Sequence, residues 1–272
     1  MYRRIFMPLI FLVIACVFCG IGLKGCEKKA QAAEPAMEKA KEMVPADPNS
    51  VPEGWVLVEE DILIDFVDEP GEKFHKARQN FLKKDYKATA EEIRKGAAFM
   101  KLQAARATSE GKKVLTVSID ELEKLATDVE KGTVTSAATL NHAFARAHYA
   151  LAKHHHLKAM EYKAKGAGTK LGHALKASAI HLEHGFAWAG HELEAATVAV
   201  IKDTGLVAGK LVEGTGWIGK EVGVLIEKIG EEIQKLGRLV EPGKHEQKTD
   251  TGKNNKKSLD FIEKSVKNLK RT

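Results

Sequence analysis

Between residues 169 and 200, apolar and small side chains recur at steps of three and four: Leu171, Leu175, Ser178, Leu182, Phe186, Ala189, Leu193, Ala196 and Val200. At about 100° per residue this spacing winds them into one stripe along a helix. A stripe of that length has to be covered by other helices. On the opposite side His173, His184 and His191 recur at intervals of eleven and seven, with Ile180 and Trp188 between them, close to whole turns of an α-helix. This one segment predicts the fold class: all-α, an elongated antiparallel helical bundle or hairpin, with a disordered N-terminal tether and a Gly-rich amphipathic C-terminal helix.

The partner of the striped helix precedes it. Thr135 or Ser136 caps a long helix carrying Leu140, Phe144, Ala147 and Leu151 on one face, and Gly166 and Gly168 interrupt it. The two make a hairpin that turns near Ala167. Phe74, Ala77, Phe81 and Leu82 give a shorter helix, Lys84 and Asp85 a turn, and Tyr86, Ala90, Ile93, Ala97 and Met100 a second one. The Asp85-Tyr86 turn followed by alanines resembles a tetratricopeptide-type helix pair, which implies a local helix-turn-helix unit. No period of about 34 residues extends it into an array. Ser118 and Glu121 have the spacing of a capping box, which predicts a helix from Ile119 to Lys131 closed by Gly132.

The ends of the chain have a different character. Arg3 and Arg4 precede an apolar run from Ile5 to Leu23, the pattern of an export leader over residues 1–25. Leu23-Lys24-Gly25-Cys26 resembles the bacterial lipoprotein box, with Cys26 as the lipidated residue and Lys24 departing from the pattern. Ala30-Gln31-Ala32 offers a secretory cleavage site instead, and an uncleaved anchor is the third route. Residues 26–50, rich in Ala, Lys, Glu and Pro, read as a flexible tether. Residues 51–71 read as an extended or short-strand segment, 72–201 as the helical bundle, 242–257 as a linker and 258–272 as a short helical tail. All thiols lie at Cys16, Cys19 and Cys26, so no disulfide framework or cysteine nucleophile belongs to the body. The formal charge of +6 falls to +3 once Arg3, Arg4 and Lys24 are removed with a leader, too small a surplus to point to nucleic acid.

Residues 202–241 are punctuated by glycine. Each Gly costs about 0.8–1.0 kcal/mol against Ala inside a helix, so their number demands a use. Gly216, Gly223, Gly230 and Gly237 fall a heptad apart beside Ile218, Val222, Leu225, Ile229 and Leu236. That pattern fits either a close helix approach or an amphipathic membrane-surface helix using Trp217, Ile218, Val222, Leu225 and Ile229.

Histidine is the residue type that stands out: eleven are present. With a turn near Ala167, His142 lies level with His191, His148 with His184, and His154, His155 and His156 with His181. Such a stack would suit metal or haem, with His154, His155, His156, His173, His181, His184 and His191 as the candidate ligands. The angular phase argues the other way, because His173, His184 and His191 fall away from the leucine stripe whereas His148 and His155 edge the apolar face of their helix. The spacings of di-iron bundles, covalent haem and zinc proteases are absent, as are a nucleophile elbow and a phosphate loop. No catalytic residue is assigned. The sequence is therefore read as a non-enzymatic exported helical protein of the bacterial cell envelope, held in the periplasm by its N-terminal lipid, with a soluble periplasmic form or a single N-terminal transmembrane anchor as alternatives. It acts as a scaffold or protein-binding module whose partner is an envelope protein or a second copy. The competing expectations are a periplasmic metal or haem binder using the histidines and a membrane-surface protein using the Gly-rich helix.

Overall fold

Glu69 and Pro70 open the first helix: a proline in the first turn forfeits no intrahelical bond, and Glu69 and Glu72 sit at the positive end of the helix dipole. The computed structural model describes residues 69–215 and 219–241, and these form seven α-helices with no strand among them. In chain order they are α1 (Glu69–Leu82), α2 (Tyr86–Ala105), α3 (Ser109–Glu130), α4 (Ala137–Ala164), α5 (Gly168–Trp188), α6 (Ala195–Glu213) and α7 (Gly219–Val240). The all-helical expectation holds. The segments expected to be an export leader, a tether from Cys26, a linker and a tail lie outside the described residues, as do residues 51–68, Trp217 and Ile218.

Side chains cap three of the seven helix starts. The Asp85 carboxylate accepts from the Ala88 N–H at 3.0 Å, and the Ser136 hydroxyl from that of Ala138 at 3.2 Å. Thr108 does the same for Gly111 at 3.1 Å, so the cap of α3 lies nearly three turns before the expected one at Ser118. Ser118 is instead buried in mid-helix, and Glu121 reaches across to α4, where its two carboxylate oxygens accept from Arg146 Nε at 2.8 Å. The capping-box spacing was satisfied by chance, because a serine and a glutamate three apart also share one face of a helix interior.

The expected helix over residues 169–200 is two helices. At φ +73° Gly190 adopts the left-handed conformation, and the His191 N–H donates back to the Phe186 carbonyl at 3.1 Å, closing α5 in a Schellman turn. After the connection, α6 packs back on α5 and buries Thr197, Thr204, Ala208 and Leu211, whereas Ala196 of the expected stripe is exposed. The Gly-rich stretch is likewise divided, at Gly214, into α6 and α7.

Each helix packs on the next in the chain, and α4 is the hub: it touches α1, α3, α5 and α7. Its contact with α7 explains the heptad of glycines. A β-carbon on Gly237 would lie 2.9 Å from the Tyr149 ring, one on Gly230 3.0 Å from His156 Nε2 and one on Gly223 2.9 Å from Lys163 Nζ. Tyr149, His156 and Lys163 are themselves a heptad apart on α4, running in the opposite direction. The glycines are thus the groove into which a row of larger side chains from α4 is laid. Val222, Leu225 and Ile229 are buried in this arrangement, so the apolar face assigned to a membrane surface is turned into the bundle. No helix among the described residues is long and apolar enough to cross a membrane.

Candidate metal centre

The interface between α4 and α5 is built largely from small residues. Ala143, Ala145, Ala147, Ala150 and Ala152 on α4 are buried, as are Ala174, Ala177 and Ala179 on α5. Ser178 ties the two together by donating its hydroxyl to the Ala152 carbonyl at 3.1 Å. Alanines let helix axes come close, and the space left between them is filled by imidazoles. His148, His181 and His184 are 0%, 0% and 2% exposed and meet there, one ligand nitrogen from each lying within 4.8 Å of the others.

The rings touch in defined ways. Nδ1 of His148 and Nδ1 of His181 are 3.2 Å apart, and the His148 ring meets that of His184 edge-on with centroids 5.1 Å apart. Nitrogen ligands of a tetrahedral ion with bonds of about 2.0–2.1 Å lie about 3.3 Å from each other, so the His148 and His181 pair already has the required separation. As neutral rings the two share one hydrogen bond, with one Nδ1 donating and the other accepting. That arrangement leaves His148 Nε2 and His181 Nε2 buried without any hydrogen-bond partner. Buried polar atoms are almost always satisfied, and each orphan carries a desolvation penalty of about 1–3 kcal/mol.

Burial dominates the electrostatics. It pushes the pKa of His148 and of His181 well below the ordinary histidine value, with neighbouring imidazoles adding to the effect. His184 is pushed down to about 4 by burial, opposed by the charge of Glu183. All three rings are therefore neutral at pH 7, which is the form that ligates metal. Aromatic side chains wall the site: Phe74 of α1 stands edge-on to His148 at 5.6 Å and stacks on Phe144 at 4.5 Å, and Phe144 in turn meets Trp188 at 5.1 Å.

Of the histidines singled out by sequence, His181 and His184 belong to the cluster. His155 extends it, its ring stacked on His181 at 5.5 Å, and His154 adjoins His155 at 4.8 Å. His156 points elsewhere and donates from Nε2 to the Ile226 carbonyl of α7 at 2.9 Å. His173 and His191 are half-buried and lie outside the three-histidine group. The ligand set that sequence reasoning left out is His148. Its level opposite His184 follows correctly from the hairpin register; the phase argument set against convergence holds for His173 and His191 and is overturned for His184. That argument took the leucine stripe as the buried side of α5 and the histidine side as its outer face. In fact α5 is buried nearly all round: Gly172 on the stripe side packs so closely on α6 that a β-carbon there would sit 2.7 Å from the Ala208 carbonyl, while the side bearing His181, His184 and Trp188 faces α4. A helix with no large charged stripe was the available signal that both faces are covered.

No known protein family, curated protein or solved structure matches this chain.

Proposed function

We propose that this chain is an exported, non-enzymatic helical protein of the cell envelope that holds one transition-metal ion inside its bundle on His148, His181 and His184. The observation that carries the reading is the meeting of three buried, neutral imidazoles, the Nδ1 atoms of two of them 3.2 Å apart, the separation of two ligands on one ion. A fold with no use for these groups is better served by leucine in their place, because an apolar side chain brings no unpaired polar atom into the core. An ion between the facing nitrogens gives these buried rings a use. The contact distances favour a bare ion over haem, since rings with centroids 5.1 Å and 5.3 Å apart leave no slot for a macrocycle. The compartment rests on the leader pattern before Cys26.

The test is metal analysis of untagged protein purified without chelator, repeated on His148→Ala and His184→Ala. One equivalent of metal in the parent and none in either variant is expected; a folded parent free of metal after exposure to copper, zinc, nickel and iron salts would end the reading.

A second reading, the docking scaffold, has its own support. A groove of about 510 Å³ lies between α3, α4 and α7, lined by Val114, Val117, Tyr149 and Val240 with Arg238 at its side. Val117 is 71% exposed beside it, the kind of apolar patch that pairs with a second copy or another envelope protein. Sedimentation of the parent against Val117→Glu checks self-association there: a dimer lost in the variant supports it, and a monomeric parent removes it.

A further inference from the structure

Resting on the metal-binding reading, we infer that the ion is monovalent copper, Cu(I), held in three-coordinate geometry by His148, His181 and His184. The argument begins with charge. The group of converging ligands contains imidazole only, with no carboxylate and no thiolate among the described residues. A neutral ligand set leaves the whole charge of the ion in the core. The Born cost of that burial grows with the square of the charge, so a divalent ion is penalised about fourfold more than a monovalent one. Sites that bury divalent zinc offset the charge with thiolates or carboxylates, or leave a position for water. Among the described residues no carboxylate converges with the three rings: Glu183, whose charge acts on His184, is next to it in sequence and half-buried, and it is not one of the converging groups.

Coordination number points the same way. Divalent zinc with three protein ligands takes a fourth from solvent, and Cu(II) prefers a square or tetragonal set. The burial of the three rings keeps them from the solvent that would supply either addition. His148 is enclosed by Phe74, His181 and His184, with ring centroids 5.6 Å, 5.3 Å and 5.1 Å away, and none of the three ligating rings is more than 2% exposed. A filled-shell ion that is content with two or three ligands and carries a single charge is the one that matches. Imidazole is a ligand copper accepts readily. The same enclosure implies slow exchange, so loading is coupled to opening of the α4/α5 seam or to folding itself.

The experiment uses the untagged protein residues 26–272, with the metal supplied as the Cu(I) bicinchoninate complex under anaerobic reducing conditions, or as Zn(II) in parallel, both to native protein and during refolding from denaturant. Withdrawal of one equivalent of Cu(I), with an X-ray absorption edge of a three-coordinate nitrogen-ligated Cu(I) ion and at least tenfold weaker retention of Zn(II), is expected. His148→Leu and His184→Leu should each lower Cu(I) retention at least tenfold, with helical circular dichroism showing that they fold. His156→Leu, outside the site, should leave retention unchanged. Equal or tighter Zn(II) binding with loss in the same variants would overturn the monovalent assignment while keeping the three-histidine centre. Failure of the folded parent to take up either ion overturns both.

Discussion

Helix α4 presents two seams to its neighbours, and they treat histidine in opposite ways. Towards α7 the seam is a groove of glycines, and His156, laid over Gly230, donates its Nε2–H to the Ile226 carbonyl at 2.9 Å. Towards α5 the seam is made of alanines, and His148 enters it with an Nε2 that meets no partner at all. Both rings are withdrawn from water by the same bundle. One is an architectural histidine whose ring the fold satisfies through a backbone carbonyl; the other meets a second imidazole through Nδ1 and keeps an unpartnered Nε2. Burial of histidine alone therefore does not mark a site, whereas imidazole facing imidazole is the arrangement on which the proposed metal centre rests.

Proton uptake should separate the metal-free seam from the rest of the molecule most strongly. A histidine whose pKa is lower in the folded chain than in the unfolded one contributes stability that is fully present above about pH 6.5, where both states are neutral. Below that, the unfolded chain binds protons that the folded one refuses, and the contribution is lost as pH falls towards the folded value. For His184 that window runs from the model-peptide value of 6.5 down to about 4, and His148, His155 and His181 act in the same direction. Each such group contributes up to about 1.4 kcal/mol per pH unit. Thermal unfolding of metal-free protein should therefore show a Tm that is level above pH 7 and falls steeply between pH 6.5 and 4. A Tm independent of pH over that range would mean that the rings are reached by water in the native state.

Next in size is the glycine seam. Gly230→Val puts a branched side chain where a β-carbon alone already lies 3.0 Å from His156 Nε2, and Gly172→Val places one 2.7 Å from the Ala208 carbonyl. Overpacking of this kind destabilises by about 1–3 kcal/mol. The second should be the worse of the two, since a backbone carbonyl cannot turn aside as an imidazole can. Gly209, whose added β-carbon would meet nothing within 4 Å, is the control, and Gly209→Ala should be neutral or mildly stabilising. Urea denaturation of the three variants orders them.

The contrast between the histidines themselves is smaller in energy and sharper in meaning. Exchanging His148 for leucine removes an orphaned Nε2 and keeps the volume, but it also takes the Nδ1 partner from His181, so the two effects offset and metal-free His148→Leu should lie within about 1 kcal/mol of the parent. His156→Leu breaks a satisfied bond to the Ile226 carbonyl and should lose about 1–2 kcal/mol. The metal-loading experiment should reverse the ranking, with His148→Leu empty and His156→Leu loaded. Chemical denaturation beside metal analysis reads both halves.

How much of this was legible in the sequence follows from what periodicity reports. The three-four spacing within each helix, as in Leu140, Phe144, Ala147 and Leu151 or Leu171, Leu175, Ser178 and Leu182, reports which residues lie on one side, and that was enough for the fold class and for the hairpin turn near Ala167. It does not report how many sides are covered. In α5 the burial is almost complete, so a histidine opposite a leucine was assigned to an outer face that the structure covers with α4. The heptad of Gly223, Gly230 and Gly237 was legible as a close approach but not as an approach to α4, because the matching heptad of Tyr149, His156 and Lys163 is chemically mixed. The break at Gly190 was hidden by a stripe that continues in phase across it.

The smallest effect tests the most local of these lessons. Thr108 accepts from the Gly111 N–H at 3.1 Å and so satisfies one of the free donors at the start of α3. Thr108→Ala should therefore lower stability by about 1 kcal/mol. Ser118, which has the better-looking cap sequence, lies nine residues into α3 with its hydroxyl buried and unpartnered, so Ser118→Ala removes nothing that the helix uses and should be neutral or slightly stabilising. A loss in the second variant equal to the first would show that α3 begins anew at Ser118 in solution, and that the carboxylate of Glu121 turns back to cap it instead of reaching Arg146. The pairing of Glu121 with Arg146 would then be the first contact to disappear, and with it one of the links by which α3 holds its place on α4.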